Sequence, residues 1–100
     1  METVDLVLAE IRAERRAQDA KWGVQNWPDG TGTDMKGLAD KAKAATDATI
    51  ADKSCTWTHI LTEEFFEALA EEDPVKLRVE LIQTAAVATA WVEAIDRRDT

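Results

Sequence analysis

The chain has 100 residues, of which 45% are hydrophobic and 32% are charged, and its formal net charge at pH 7 is -8. This composition excludes a disordered tail and allows one domain with a single modest core. Because acidic residues outnumber basic ones, the chain would repel a phosphate backbone, so we expect no nucleic-acid partner, and a polyanionic ligand has to arrive with a cation.

The sequence also bears on the compartment. Cys55 is the single cysteine and cannot form an internal disulfide, no signal-peptide pattern opens the chain, and no apolar run approaches the ~20 residues that a membrane span needs. We therefore expect no membrane association and a cytoplasmic location.

The first predicted element is a helix over residues 2–22. Its apolar residues recur at helical spacing and form a stripe that should face the core: Val4, Leu8 and Ile11. By helical geometry the stripe continues through Arg15, Gln18 and Trp22, so it turns from apolar to polar and aromatic. This change indicates a site near the C-terminal end of the helix.

A loop and a second helix are predicted next. Pro28, Gly30 and Gly32 are typical of a loop over residues 23–33. An Ala-rich segment over residues 34–53 then predicts a helix with a thin apolar face. That face comprises Met35, Leu38, Ala39, Ala42 and Thr46.

Two further helices are predicted over residues 57–72 and 74–97. Thr56 is a candidate N-cap for the third helix, while Asp73 caps the fourth and Pro74 opens it. Helices joined so tightly should turn back on each other as an antiparallel hairpin. Since no strand pattern or repeat occurs, the predicted fold class is all-α, a domain like a four-helix bundle.

The third helix has an apolar side and an acidic side. The apolar side comprises Leu61, Phe65, Phe66 and Leu69, and the opposite side comprises Ile60, Glu64, Glu67 and Glu71, flanked by Glu63. A solvated surface is the simplest interpretation of the acidic side, because like charges at these spacings cost only ~0.2–0.5 kcal/mol each in water.

Glu80 favours a different interpretation. It falls on the inward stripe of the fourth helix, between Leu77 and Thr84. A buried carboxylate is costly unless it is neutralised, ion-paired or metal-bound. The hairpin would bring it toward Glu64 and Glu67, where charges ~4 Å apart repel by roughly 4 kcal/mol at an effective dielectric of about 20. A hard divalent cation relieves this repulsion, and oxygen-only ligands suit magnesium or manganese rather than zinc.

An ion pair is the alternative for Glu80, with Arg15 or Arg78 as its partner. Such a pair would satisfy the buried charge. It would not explain the convergence of Glu80 on Glu64 and Glu67.

The two acidic motifs, Glu64-x-x-Glu67 and Glu80-x-x-Gln83, are separated by twelve residues. Their spacing resembles the paired motif of the MazG-like all-α nucleoside triphosphate pyrophosphohydrolases. The second motif departs from the family pattern at its last position, where the family usually has aspartate and this chain has Gln83, a neutral ligand.

Three other segments look like those of small MazG-like proteins of phages and actinobacteria. These segments are residues 14–26, 57–61 and 91–98, so apart from the second helix the resemblance covers most of the chain. It implies a bundle that is completed by dimerisation, sometimes as a dimer of dimers. It also implies an enzyme that uses magnesium to split a nucleoside triphosphate into a monophosphate and pyrophosphate.

Our hypothesis for the acidic residues follows from this resemblance. Glu64, Glu67 and Glu80 ligate magnesium, for which manganese can substitute. Glu63 is either a fourth ligand or the base that orients a water, and Gln83 holds a water on the metal.

The candidate substrate-binding residues lie in and just after the first helix. Those that would hold the β and γ phosphates are the basic ones, Arg15, Arg16 and Lys21. Trp22 would stack on the base while Gln18, Gln25 or Asn26 reads its edge. The alternatives are that the basic residues are ordinary surface charges and that Trp22 is a hydrophobic plug closing the end of the bundle.

Two other functions remain open at this point. A non-catalytic relative would bind and sequester nucleotides, which Gln83 in place of aspartate permits, and tight binding without phosphate release would identify it. A helical interaction module would use its glutamates only for solvation, and its thermal stability would not respond to magnesium.

Overall fold

The computed structural model describes residues 2–98, which form helices joined by loops and contain no strand. The elements are α1 (Thr3–Trp22), a single 3₁₀ turn (Thr33–Met35), α2 (Lys36–Ala51), α3 (Trp57–Leu69) and α4 (Pro74–Arg98). The prediction of an all-α protein with four helices is confirmed. None of the described helices is long and apolar enough to span a membrane.

The starts of α3 and α4 follow from local hydrogen bonds. The backbone N–H of Thr56, the N-cap of α3, donates to His59 Nδ1 at 3.1 Å, and Asp73 Oδ1 accepts from the N–H of Val75 at 2.9 Å. Both caps lie where the sequence places them.

Helix α3 ends at Leu69 rather than at residue 72. The loop between α1 and α2 satisfies carbonyl groups at this end: the Gly32 N–H donates to Leu69 O at 2.9 Å, and Thr31 Oγ1 donates to Glu71 O at 2.6 Å. Carbonyls at a helix C-terminus need such partners when no further turn supplies them.

The chain divides into two compact units, of which one comprises residues 2–29 and 89–98 and the other residues 30–88. In the first unit Val7 and Thr89 are buried, and Thr3 Oγ1 donates to Glu93 Oε1 at 3.1 Å. The predicted core stripe of α1 is wrong at Leu8 and Ile11, because both are exposed. A stripe read from periodicity shows which residues share a face, whereas the neighbouring elements decide which face is covered.

The second unit is built on the packing of α2 against α3. Its buried residues are small or medium in size: Gly32, Ala39, Thr46, Ala68 and Leu77. Thr46 Oγ1 lies 2.9 Å from Ala42 O and 3.2 Å from His59 O, so one hydroxyl joins α2 to the start of α3. Phe65 is exposed although it belongs to the apolar side of α3, whereas Glu64 on the acidic side is partly buried.

Candidate metal centre

Three glutamates of the second unit converge on one point. Glu64 and Glu67 lie one turn apart on α3, and Glu80 lies on α4. A carboxylate oxygen from each of the three is within 4.8 Å of the others, and all three side chains are partly buried. Glu64 and Glu67 on the acidic side of α3 therefore belong to a partly buried cluster rather than to a fully solvated surface.

Two oxygens of this cluster are left without hydrogen-bond partners. Oε2 of Glu64 and Oε2 of Glu80 are buried, and neither has a partner among residues 2–98. A buried carboxylate oxygen without a donor is costly, and a bound cation removes that cost. The three glutamates therefore fit a metal ion, because the two oxygens without hydrogen-bond partners belong to residues of the convergent group.

The electrostatics of the cluster disfavour the ionised forms of Glu64 and Glu67. Burial raises the pKa of Glu64 above its ordinary value, and the charges of Glu80 and Glu63 raise it further. Burial also raises the pKa of Glu67, as do the neighbouring glutamates, while Lys43 acts in the opposite direction. At an effective dielectric of about 20, charges this close repel by roughly 3 kcal/mol or more per pair.

The donor set limits which ion could be held. The group consists of three carboxylates and contains neither imidazole nor thiolate. Hard cations such as magnesium and manganese take oxygen ligands of this kind, whereas structural zinc sites use histidine and cysteine. Three protein ligands leave coordination positions for water or for phosphate oxygens.

Glu63 is not one of the three convergent glutamates, and Gln83 is a neutral residue on α4. The Glu63 side chain is 16% exposed, and its Oε1 is 4.0 Å from Lys43 Nζ. Gln83 follows Glu80 by one turn of α4 and is exposed. The two residues thus differ in setting, since Glu63 is enclosed beside a cation while Gln83 is open to solvent.

The other predicted site residues belong to the first unit. Arg15 donates to Gln18 Oε1 at 2.7 Å and to Asp19 Oδ1 at 2.9 Å, and Lys21 Nζ lies 4.7 Å from the ring centroid of Trp22. Trp22 is 58% exposed, which is far from the burial that a hydrophobic plug would have. The remaining candidates are exposed as well: Arg16, Gln25 and Asn26.

One residue beside the cluster was not predicted from the sequence. Lys43 on α2 pairs with Asp47 at 3.5 Å and reaches Glu63 on α3 at 4.0 Å. The sequence shows only the spacing of Lys43 and Asp47, which the exposed pair Lys36 and Asp40 repeats. No local signal in the sequence marks Lys43 as a lysine that reaches Glu63 on α3.

Comparison with known proteins found no match. No protein-family model, no curated protein and no solved structure matches this chain. The similarity to the MazG-like family therefore depends on the motifs and segments of the sequence alone.

Proposed function

We propose that this protein is a magnesium-dependent nucleoside triphosphate pyrophosphohydrolase of the MazG-like type, acting in the cytoplasm and releasing pyrophosphate and a nucleoside monophosphate. The observation that carries the proposal is the convergence of Glu64, Glu67 and Glu80 with two orphaned buried oxygens. The spacing of the two acidic motifs supports the same family. A net charge of -8 is compatible with a polyphosphate substrate only if cations accompany it.

The roles of the glutamates follow from their settings. Glu64, Glu67 and Glu80 would hold magnesium or manganese, and the bound ion would supply Lewis-acid polarisation of phosphate oxygens. Glu63 lies outside that group, so its carboxylate is available to orient the attacking water as a general base. In-line attack at the α-phosphorus then requires no covalent intermediate with the protein.

The resemblance over residues 14–26 assigns nucleotide contacts to side chains of the first unit. Arg15, Arg16 and Lys21 would contact phosphates, and the exposed ring of Trp22 would stack on the base. Gln18, Gln25 and Asn26 carry amides that could pair with the edge of a base.

We also propose that the protein works as a homodimer or as a dimer of dimers. Among the described residues no large side chain is fully buried. Helix α4 carries an exposed apolar stripe whose residues are four and three positions apart. It consists of Val75, Val79 and Ile82, which are 75%, 50% and 57% exposed, respectively. Apolar residues at this spacing are typical of a helix that packs against another helix.

A panel of ribo- and deoxynucleoside triphosphates tests the enzymatic proposal. Each is incubated with magnesium, and monophosphate and pyrophosphate are measured for the wild type, for Glu67→Gln and for the exposed control Glu10→Gln. We expect the product pair from at least one substrate, a loss of about 100-fold or more in Glu67→Gln and no loss in Glu10→Gln. No product from any substrate, or equal product from both variants, would contradict the proposal.

Nucleotide sequestration is the second candidate, because Gln83 replaces the aspartate of the family motif and is exposed. One carboxylate fewer lowers the negative charge that holds a cation. Saturable nucleotide binding in the presence of magnesium, with no phosphate product over hours, would establish this function instead.

A further inference from the structure

Lys43 is a cation at the edge of the acidic cluster. Its ammonium lies 4.0 Å from Oε1 of Glu63 and acts electrostatically on Glu67, so α2 contributes a positive charge to a site whose carboxylates come from α3 and α4. All these residues belong to the unit of residues 30–88.

The contacts of Lys43 are long and exposed. Its distances to Asp47 and Glu63 are 3.5 Å and 4.0 Å, and its side chain is 61% exposed. Exposed ion pairs at such distances contribute little to stability, because both groups keep most of their hydration. The ammonium is therefore not held as a structural bridge and can change partners at small cost.

A further cation beside the cluster would offset part of the negative charge that a polyphosphate adds. Glu63, Glu64, Glu67 and Glu80 carry four carboxylates, and a triphosphate adds further negative charge. A divalent ion held by three of the carboxylates offsets only part of this charge. A lysine ammonium is a mobile point charge with three donors, which suits the contact of phosphate oxygens outside a metal ion.

We infer that Lys43 is a phosphate-binding residue, whose ammonium leaves Glu63 to contact the terminal phosphates of a polyphosphate ligand. The inference deepens the proposed function and names a substrate contact for the same site. Once Lys43 has moved to the phosphates, the Glu63 carboxylate is also free to accept a hydrogen bond from a water molecule.

Binding of inorganic triphosphate in the presence of magnesium tests this role. Isothermal titration compares the wild type with Lys43→Gln, Lys43→Arg and Lys36→Gln, and binding of magnesium alone is measured for all four. Lys36→Gln is the matched control, because Lys36 is also an exposed α2 lysine paired with an aspartate four residues later. We expect Lys43→Gln to weaken triphosphate binding about tenfold, while Lys43→Arg keeps most of the affinity. We expect Lys36→Gln to behave as the wild type, and magnesium alone to bind Lys43→Gln no more weakly than the wild type.

The outcomes separate this inference from the enzymatic proposal. Hydrolysis by the wild type together with unchanged triphosphate affinity in Lys43→Gln would overturn the role of Lys43 and leave the function intact. Lys43-dependent triphosphate binding without hydrolysis would support the role and contradict the enzyme. Absence of triphosphate binding by the wild type, or an equal loss in Lys36→Gln, would also overturn the role of Lys43.

Discussion

Glu64 on α3 and Glu80 on α4 each bury a carboxylate oxygen that accepts no hydrogen bond within residues 2–98, and oxygens of the two side chains lie within 4.8 Å of each other. Two charged groups in this arrangement repel each other and lack the donors that water would supply. The metal-free cluster therefore costs stability. A bound cation would remove this cost, and the relief of repulsion would contribute to the free energy of cation binding.

Metal binding should stabilise the fold through these residues. We expect magnesium or manganese to raise the free energy of unfolding of the wild type by about 2.7 kcal/mol at a free concentration of about 100 Kd. In Glu80→Gln the gain should be absent or small, while Glu10→Gln, which removes an exposed charge, should retain it. Thermal unfolding with and without the metal measures the difference. An equal gain in Glu80→Gln and the wild type would show that the ion binds elsewhere.

The stability of the metal-free protein should depend on pH in a defined direction. The pKa of Glu64 and the pKa of Glu67 are raised above the ordinary value of 4.5, so the folded state binds more protons than the unfolded state just above that pH. The stability linked to these groups is therefore fully present below pH 4.5 and is lost as the pH rises through the raised pKa values.

Glu64→Gln tests this pH dependence in the presence of a chelator. We expect its unfolding temperature to fall less steeply than that of the wild type between pH 4.5 and neutrality. At neutral pH the variant should be more stable by about 1 kcal/mol after screening of the partly exposed groups, or about 4–8 °C. Glu10→Gln changes the net charge equally and should keep the wild-type slope. Parallel slopes in all three proteins would refute the coupling.

Introducing a carboxylate at position 83 should strengthen metal binding. Gln83→Asp adds a negative charge one turn after Glu80, and we expect manganese to bind about tenfold more tightly as a result. Gln83→Asn is the matched control, because it has the size of aspartate without the charge. Titration with manganese, followed by electron paramagnetic resonance of the free ion, measures both affinities. Equal affinities in the two variants would place residue 83 outside the site.

The exposed stripe of α4 should be covered in solution. Ile82→Glu places a charge at the C-terminal end of this stripe, so it should shift the protein toward the monomer, with the dimer dissociation constant raised about tenfold or more. Val24→Glu changes a valine that is 89% exposed in a loop and should leave the assembly unchanged. Sedimentation equilibrium gives the mass of each variant. A monomeric wild type, or a dimeric Ile82→Glu, would exclude this stripe as the interface.

The amino-acid sequence by itself determined the local features of this protein. The order of the four helices, the caps at Thr56 and Asp73 and the shared face of Glu64 and Glu67 follow from periodicity and from hydrogen bonds between residues a few positions apart. Such features need no information about distant parts of the chain, which explains why they could be predicted.

Only the tertiary structure decided which faces are covered and which charges meet. Phe65 is exposed and Glu64 partly buried, although the helix alone suggests the reverse, because burial depends on what packs against each face. The sequence suggested that Glu80 would approach Glu64. The structure shows that their carboxylate oxygens lie within 4.8 Å of each other and that one oxygen of each side chain is buried without a hydrogen-bond partner. It also places Lys43 beside Glu63, a contact between two helices that local spacing cannot reveal.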